Sequence, residues 1–298
     1  MIDIKIILKN DRICKAITGM EVEQIKKLNL EFRNNLIESR IKKTPNRQRK
    51  YGGGAKGKLI KSLDKLIMCL FYLKVYPTYD LMGVFYSADR SRCCRWIQEM
   101  FEVLEMTLKR KLVLPERQIN SLEEFKRLFP GIKDVFIDGT EREVARPKRA
   151  KQRGKLYSGK KKRTARKTII IADEKKKILM MSPTKSGRRH DKRLLDKCGI
   201  MRKIPDNVSI WVDTGFVGVQ REHPNIMMPK KSRKKHPLSI KEKQENKTIS
   251  GLRVVVEHAI GGIKRMKSSS DKYRNRLANF DDKMFYLSAG IWNLYLQS

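Results

Sequence analysis

The sequence predicts an α/β (α+β) protein: an all-α segment in front, and behind it a mixed sheet carrying helices. Three observations predict this. Apolar residues recur at helical spacing from Leu59 to about Arg110. Two short apolar runs, Val135 to Thr140 and Ser209 to Gly215, each run straight into an aspartate and a turn, as buried strands do. Between them, Thr168 to Ala172 and Lys177 to Met181 flank Asp173-Glu174 and read as a β-hairpin.

The chain has 298 residues, 40% of them hydrophobic, which is enough for one large or two modest domains with a real core. Lys and Arg number 69 against 32 Asp and Glu, for a net charge of +37 and a pI near 10.2. A folded protein this basic implies a polyanionic partner, bound through phosphates whose counterions are released. No 18-residue apolar stretch, signal peptide or lipidation motif is present, so nucleic acid is favoured over a membrane surface. The five cysteines are scattered without a CxxC pair and the four histidines are dispersed, so no zinc site is indicated. Unpaired cysteines fit a reducing compartment, and the expected location is cytoplasmic and nucleoid-associated.

Four segments are expected. Residues 1–41 form a helical arm, with Thr18 as cap, Glu21 in capping-box spacing, and Ile25, Leu28, Phe32, Leu36 and Ile37 on one face. Residues 42–58 form a basic linker containing Pro45 and Gly52-Gly53-Gly54. Gly52, Gly57 and Lys58 match phosphate-loop spacing, but Leu59 replaces the required Ser/Thr and no strand leads in. In 59–112, Leu59, Leu63, Leu66, Ile67, Leu70 and Phe71 make one amphipathic face. Pro77 breaks it, Thr78 restarts it through Leu81 and Val84, and Ser87 offers a third start. Cys93, Trp96, Ile97, Met100 and Leu104 then form a core stripe, with Arg90, Ser91, Arg95 and Gln98 on the opposite face. A short helix, a turn and a second helix with an arginine-rich outer face make a helix-turn-helix able to contact DNA.

Residues 113–298 carry the chemistry. Ser121 and Glu124 start a short helix. After the Asp138 strand, Arg142 to Lys167 holds 13 Lys/Arg and one acid, Glu143, and reads as a loop feeding the sheet. His190 and Asp191 invite a second-site reading; the alternative is that Asp191 caps the short helix Asp191 to Cys198 and His190 contacts phosphate or solvent, while Asp134, Asp173 and Glu174 are turn residues. Ile226 to Pro229 is a last short strand. Lys230 to Lys247 holds 8 Lys/Arg against Glu242 and Glu245, and final helices carry Glu257 and span Phe280 to Leu296.

Asp138 and Asp213 occupy matching places at two strand ends. Glu257 lies among Val254, Val255, Val256, Ala259, Ile260 and Ile263, a spacing that predicts a mostly buried helix. Glutamate is almost never fully buried without a partner. Two strand-end aspartates and one helical glutamate can converge on two divalent ions, and hard oxygen ligands select Mg²⁺ or Mn²⁺. Such a pair clamps the attacking and leaving oxygens of an in-line phosphoryl displacement. Ribonuclease-H-like folds present metal-binding carboxylates from a mixed sheet of this kind.

The order DGT, DTG, then RxxxExxxxxxK resembles the DDE transposases of bacterial insertion sequences, in the group related to Harbinger elements. The resemblance runs from about Leu59 to the C-terminus. It includes YSGKKKRTARK (Tyr157 to Lys167), SGRRHDKRLL (Ser186 to Leu195), and PKK followed by LS and N. It implies that Asp138, Asp213 and Glu257 are catalytic and bind two metal ions, Mg²⁺ or Mn²⁺. It implies also that Arg253 and Lys264, which share a helix face with Glu257, contact DNA near the cut. Ser250 stands where the family often has tyrosine and Thr164 where it often has histidine, departures that bear on substrate contacts and leave the ligands in place.

The implied activity is cleavage and strand transfer at the terminal inverted repeats of an insertion sequence, on double-stranded DNA, by a homodimer or larger assembly and with no membrane. Lys160, Lys161, Lys162, Arg163, Arg166, Lys230 and Lys231 would grip phosphates. Two other readings stay open: a non-catalytic DNA-binding regulator or domesticated transposase, and a ribonuclease-H-like nuclease acting on RNA–DNA hybrids.

Overall fold

The computed structural model describes residues 3–46, 48, 59, 61–232 and 237–297. The Gly52-Gly53-Gly54 linker, the phosphate-loop spacing at Gly57 and Lys58, and the middle of the second basic stretch lie outside the described residues. The chain divides into two compact units. One comprises Met1–Leu114, Lys264–Ser270 and Lys283–Ser298, and the other Pro115–Ile263 and Asp271–Asp282.

The first unit begins with α1 (Ile4–Ile7), α2 (Asp11–Thr18), α3 (Val22–Lys43), α4 (Ser62–Val75), α5 (Tyr79–Tyr86) and α6 (Arg90–Arg110). Thr18 ends α2 instead of capping the next helix: its Oγ1 donates to the Cys14 carbonyl at 2.7 Å, and Gly19 at φ +82° stops the turn. The cap of α3 is Glu21, whose amide donates to Gln24 Oε1 at 2.9 Å. Ile25, Leu28, Phe32 and Leu36 are buried as expected, while Ile37, about 100° further round the helix, is 44% exposed. Every residue of α4 from Lys65 to Leu73 is buried, which makes it the central helix of this unit.

Thr78 caps α5 by accepting from the Leu81 amide at 3.1 Å. The phase of α5 is one residue off the sequence reading, because Met82 and Tyr86 are buried and Leu81 and Val84 are exposed. Ser87 starts nothing: it closes α5 in the left-handed region, and Asp89 caps α6 by accepting from the Arg92 amide at 2.7 Å. Cys93, Ile97, Met100 and Leu104 form the buried stripe, with Trp96 only half-buried.

The second unit contains α7 (Leu122–Leu128), β1 (Asp134–Glu143), α8 (Ala150–Leu156), β2 (Tyr157–Ser158), β3 (Arg163–Asp173), β4 (Ile178–Met181), β5 (Lys185–Ser186), α9 (Asp191–Cys198), β6 (Ser209–Val212), β7 (Ile226–Met227) and α10 (Ile240–Lys264). Two more helices follow, α11 (Lys267–Ser270) and α12 (Phe280–Leu296). The sheet is mixed, as expected, in the order β2-β3-β1-β6-β7, with β4 and β5 also paired to β3. β1 and β3 are antiparallel; β1, β6 and β7 are parallel. Val135, Ile137, Ile169, Ile171, Ile210 and Val212 pack on one face with Phe125 of α7 and Leu194 and Leu195 of α9. Phe136 and Trp211, one position over in each strand, stack with centroids 5.9 Å apart.

Two expectations are corrected. β1 does not stop at Asp138; it runs on to Glu143 because β3 supplies an antiparallel partner the whole way. The basic run after it is not a plain loop: it folds into α8, which buries no residue, then β2 and the start of β3.

Gly83 provides a test of the turn between α5 and α6. A Cβ there would lie 2.6 Å from the Ala88 carbonyl oxygen, which is backbone and cannot swing away. Gly83→Ala is expected to cost about 1–3 kcal/mol, read as a lower urea midpoint at constant m-value. An unchanged midpoint would mean that the turn is not tightly packed.

Candidate active site and nucleic-acid interface

The site is set by strand register. Parallel pairing of β1 with β6 ends at Ile137 opposite Val212. The next residue on each strand is an aspartate, so Asp138 and Asp213 emerge side by side and on one face. Both are partly buried, with side-chain exposures of 23% and 34%. Each carboxylate is fixed by a local bond. Asp138 Oδ1 accepts from the Gly139 amide at 2.7 Å, and Asp213 Oδ1 from the Thr214 amide at 2.6 Å.

Arg253 of α10 faces both. Its Nη2 lies 3.9 Å from Asp138 Oδ2 and its Nη1 4.0 Å from Asp213 Oδ1. These distances are too long for hydrogen bonds, and the buried Nε has no hydrogen-bond partner among the described residues. A guanidinium thus stands between two carboxylates without engaging either closely. Burial is the main cause that raises the pKa of Asp138. The Gly139 amide and Arg253 oppose it, while the charges of Asp213 and Asp191 add to it.

Glu257 is placed otherwise than the sequence reading expected. The buried side of α10 is formed by Arg253, Val256, Ala259, Ile260, Gly262 and Ile263. Glu257, about 100° round from Val256, is exposed, as are Leu252 and Val254. The apolar run around Glu257 therefore does not bury it. Among the described residues, no three of His, Cys, Asp and Glu come close enough to hold a metal ion. What the structure brings together is Asp138, Asp213 and Arg253.

That pair still suits a hard cation. Mg²⁺ is usually bound through one or two carboxylates plus substrate phosphates and keeps several waters. Two further carboxylates lie nearby: Asp191 and Glu141 meet Lys167, while Asp138 and Asp213 face Arg253.

Asp213 lies in the wall of a cleft of about 1470 Å³, lined by ten Lys/Arg and three carboxylates. Lys160, Lys162, Arg163 and Lys231 line it, and Lys161 is exposed beside them. Other residues expected to touch DNA stand outside this lining, several of them with protein partners. Arg166 pairs with the buried Asp281, its Nε 2.8 Å from Oδ2, and donates to the Thr184 carbonyl at 3.0 Å, so it holds the fold together. Lys230 is paired with Glu242 and Glu245. Lys264 ends α10 half-buried, eleven residues on from Arg253 and so on the same side of the helix. In the helical unit Arg90, Ser91 and Arg95 are exposed on α6, whereas Gln98 turns back to donate to the Cys94 carbonyl at 3.3 Å.

One residue of this region reads from sequence either as a helix cap or as part of a second site. Asp191 is the first residue of α9, and the cap position belongs to His190, which makes no capping bond. The Asp191 carboxylate instead meets Lys167 Nζ at 2.9 Å. Its signal in the sequence is indirect, in the two glycines of DGT and DTG.

The raised pKa of Asp138 gives a stability test. A folded-state value above the unfolded one means the fold favours the protonated acid. That contribution is complete below the unfolded pKa and is lost as pH rises through the folded one. At neutral pH the ionised Asp138 therefore works against stability, and Arg253 keeps Asp213 when Asp138 is neutralised. Asp138→Asn is expected to raise Tm at pH 7 by on the order of 2 °C, with the gain shrinking toward the ordinary aspartate pKa of about 3.9. Thermal unfolding at both pH values checks this, and an equal gain at each would contradict it.

No helix among the described residues is long and apolar enough to cross a membrane. No solved structure matches the chain. The chain is 29% identical over 244 residues to a protein of Microchaete diplosiphon described as a probable transposase for insertion sequence element IS702, covering 82% of this chain and 83% of the relative. A family model for the helix-turn-helix of DDE superfamily endonuclease matches residues 57–110. The model for DDE superfamily endonuclease matches residues 137–293, from the strand of Asp138 through α12. With more than half its length in that match, the chain belongs to the DDE superfamily endonucleases, with their helix-turn-helix ahead of the catalytic part.

Proposed function

We propose that the chain is the transposase of an insertion sequence, cutting double-stranded DNA at the element's terminal inverted repeats and joining the freed end to target DNA. The observation that carries this reading is the side-by-side placement of Asp138 and Asp213, with Asp213 in the wall of a basic cleft. Endonucleases of this superfamily work with divalent metal ions, and the similar protein from Microchaete diplosiphon is itself described as a transposase.

In this reading Asp138 and Asp213 hold Mg²⁺ or Mn²⁺, two ions in all, and Glu257 completes the ligand set. The ions, when bound, supply a water of lowered pKa and neutralise charge on the phosphate being displaced. The chain's own residues do the rest. The amides of Gly139 and Thr214 keep the two carboxylates pointed outward. Lys160, Lys161, Lys162, Arg163 and Lys231 hold the DNA backbone by charge, so binding weakens steeply with salt. Arg253 leaves its place between the aspartates when cations enter, and is then free to meet a phosphate near the cut. Arg90, Ser91 and Arg95 on α6 read the repeats. Two ends must be joined, so the working form is a homodimer or larger assembly on DNA, in the cytoplasm with the nucleoid.

A second reading has one observation in its favour. Arg253 between the aspartates and an exposed Glu257 also fit a DNA-binding regulator that never cuts, its acids balanced internally. One experiment separates the two. Asp213→Ala is expected to keep its affinity for DNA carrying the repeats that flank the coding region. It should lose Mg²⁺- or Mn²⁺-dependent cleavage by more than about a hundredfold, the scale for removing a group that stabilises transition-state charge. Full cleavage by Asp213→Ala overturns the assignment, and a wild-type chain that binds the repeats but never cuts them supports the regulator.

A further inference from the structure

A carboxylate outside the reading above lies against the backbone beside both aspartates. A Cβ added to Gly139 would fall 2.6 Å from Asp191 Oδ1, and one added to Gly215 would fall 3.5 Å from its Oδ2. Gly139 follows Asp138 directly, and Gly215 comes two residues after Asp213. One side chain therefore rests on both of the segments that carry the pair. Successive strand residues face opposite sides of a sheet, so Asp191 approaches β1 from the side that Asp138 turns away from. It shares the wall of the cleft with Asp213 and contacts the backbone beside the pair.

Asp191 is itself held in place. Lys167 Nζ is 2.9 Å from Asp191 Oδ1 and 3.2 Å from Glu141 Oε1, and Lys167 and Glu141 are only 6% and 7% exposed. Lys167 and Glu141 are cross-strand partners in the β1–β3 register. Lys167 also donates to the Arg189 carbonyl at 3.0 Å, next to His190, where α9 begins. The Lys167–Asp191 contact is not aligned as a hydrogen bond, so charge and not direction holds it. A buried lysine between two acids is costly to leave half-paired. The trio therefore behaves as one block joining β1, β3 and the start of α9.

We propose that Asp191, pinned by Lys167, is a positioning residue that sets the spacing of Asp138 and Asp213 by packing against Gly139 and Gly215. Its effect on cleavage rests on the function proposed above, whereas the packing itself does not.

Two variants test it from opposite sides. Asp191→Asn keeps the shape and removes the charge that Lys167 holds. Gly139→Ala keeps the charge and drives a methyl group onto the carboxylate. In amide hydrogen exchange on the full chain, both are expected to speed exchange by about tenfold in peptides spanning Gly139–Thr140 and Thr214–Gly215. Peptides from α4 and α6 should be unchanged. Gly215→Ala, whose methyl would meet the carboxylate at ordinary contact distance, should exchange like wild type. Mn²⁺ affinity, followed by water-proton relaxation, should fall about 10–100-fold in Asp191→Asn, the range for groups that orient metal ligands. Cleavage in that variant should then recover at saturating Mn²⁺, which Asp213→Asn cannot do.

Unchanged exchange at both peptides in Asp191→Asn overturns the proposal. So does a general speeding that includes α4, or cleavage that no Mn²⁺ concentration restores, because Asp191 would then be a folding determinant or a ligand. If wild type neither binds Mn²⁺ nor cuts DNA, the proposed function fails while the exchange result still decides the packing role.

Discussion

The in-register parallel pairing of β1 with β6 is the constraint from which the site follows. Hydrogen bonds between these strands end at Ile137 and Val212, so the first unpaired position on both is an aspartate. The strands run in the same direction and β6 ends where the pairing does while β1 continues along β3, so the two side chains lie side by side on one face. A slip of one residue would turn one carboxylate to the opposite face. The apolar alternation forbids that slip, because Val135 and Ile137 and likewise Ile210 and Val212 must all reach the same core. The hydrophobic core thus sets the distance between two acids that it does not touch.

The second constraint is charge. The chain as a whole is strongly basic, at +37, and even so its two aspartates have two further acids nearby, Asp191 and Glu141. Arg253 and Lys167 divide the task of holding those acids. Arg253 faces Asp138 and Asp213 at distances that leave it loosely held, and Lys167 is enclosed between Glu141 and Asp191.

Pattern made some of this legible and misjudged the rest for identifiable reasons. The stripe Cys93, Ile97, Met100, Leu104 and the hairpin β3–β4 are local consequences of period and turn chemistry, and they read correctly. The start of α3 was placed three residues early, because Thr18 and Glu21 offer competing caps and only Gly19 in the left-handed region decides between them. Glu257 read as buried from its apolar neighbours, but α10 exposes Leu252 and Val254 as well, so apolar content did not mark the buried face. Arg166 and Gln98 looked like DNA contacts by composition, and their partners lie at Asp281 and on their own helix turn.

By itself the sequence determined the element types, the basic character, the two aspartates at matching strand positions, and a family resemblance resting on blocks in fixed order. These depend on residues near one another in the chain, or on order alone. Tertiary structure decided that β1 continues past Asp138, that Arg253 faces the pair while Glu257 is exposed, and that Asp191 packs against Gly139 and Gly215. Each of those depends on which segments become neighbours in space. Long-range pairing of strands and the rotation of a helix about its own axis are fixed by packing, and no local pattern encodes them.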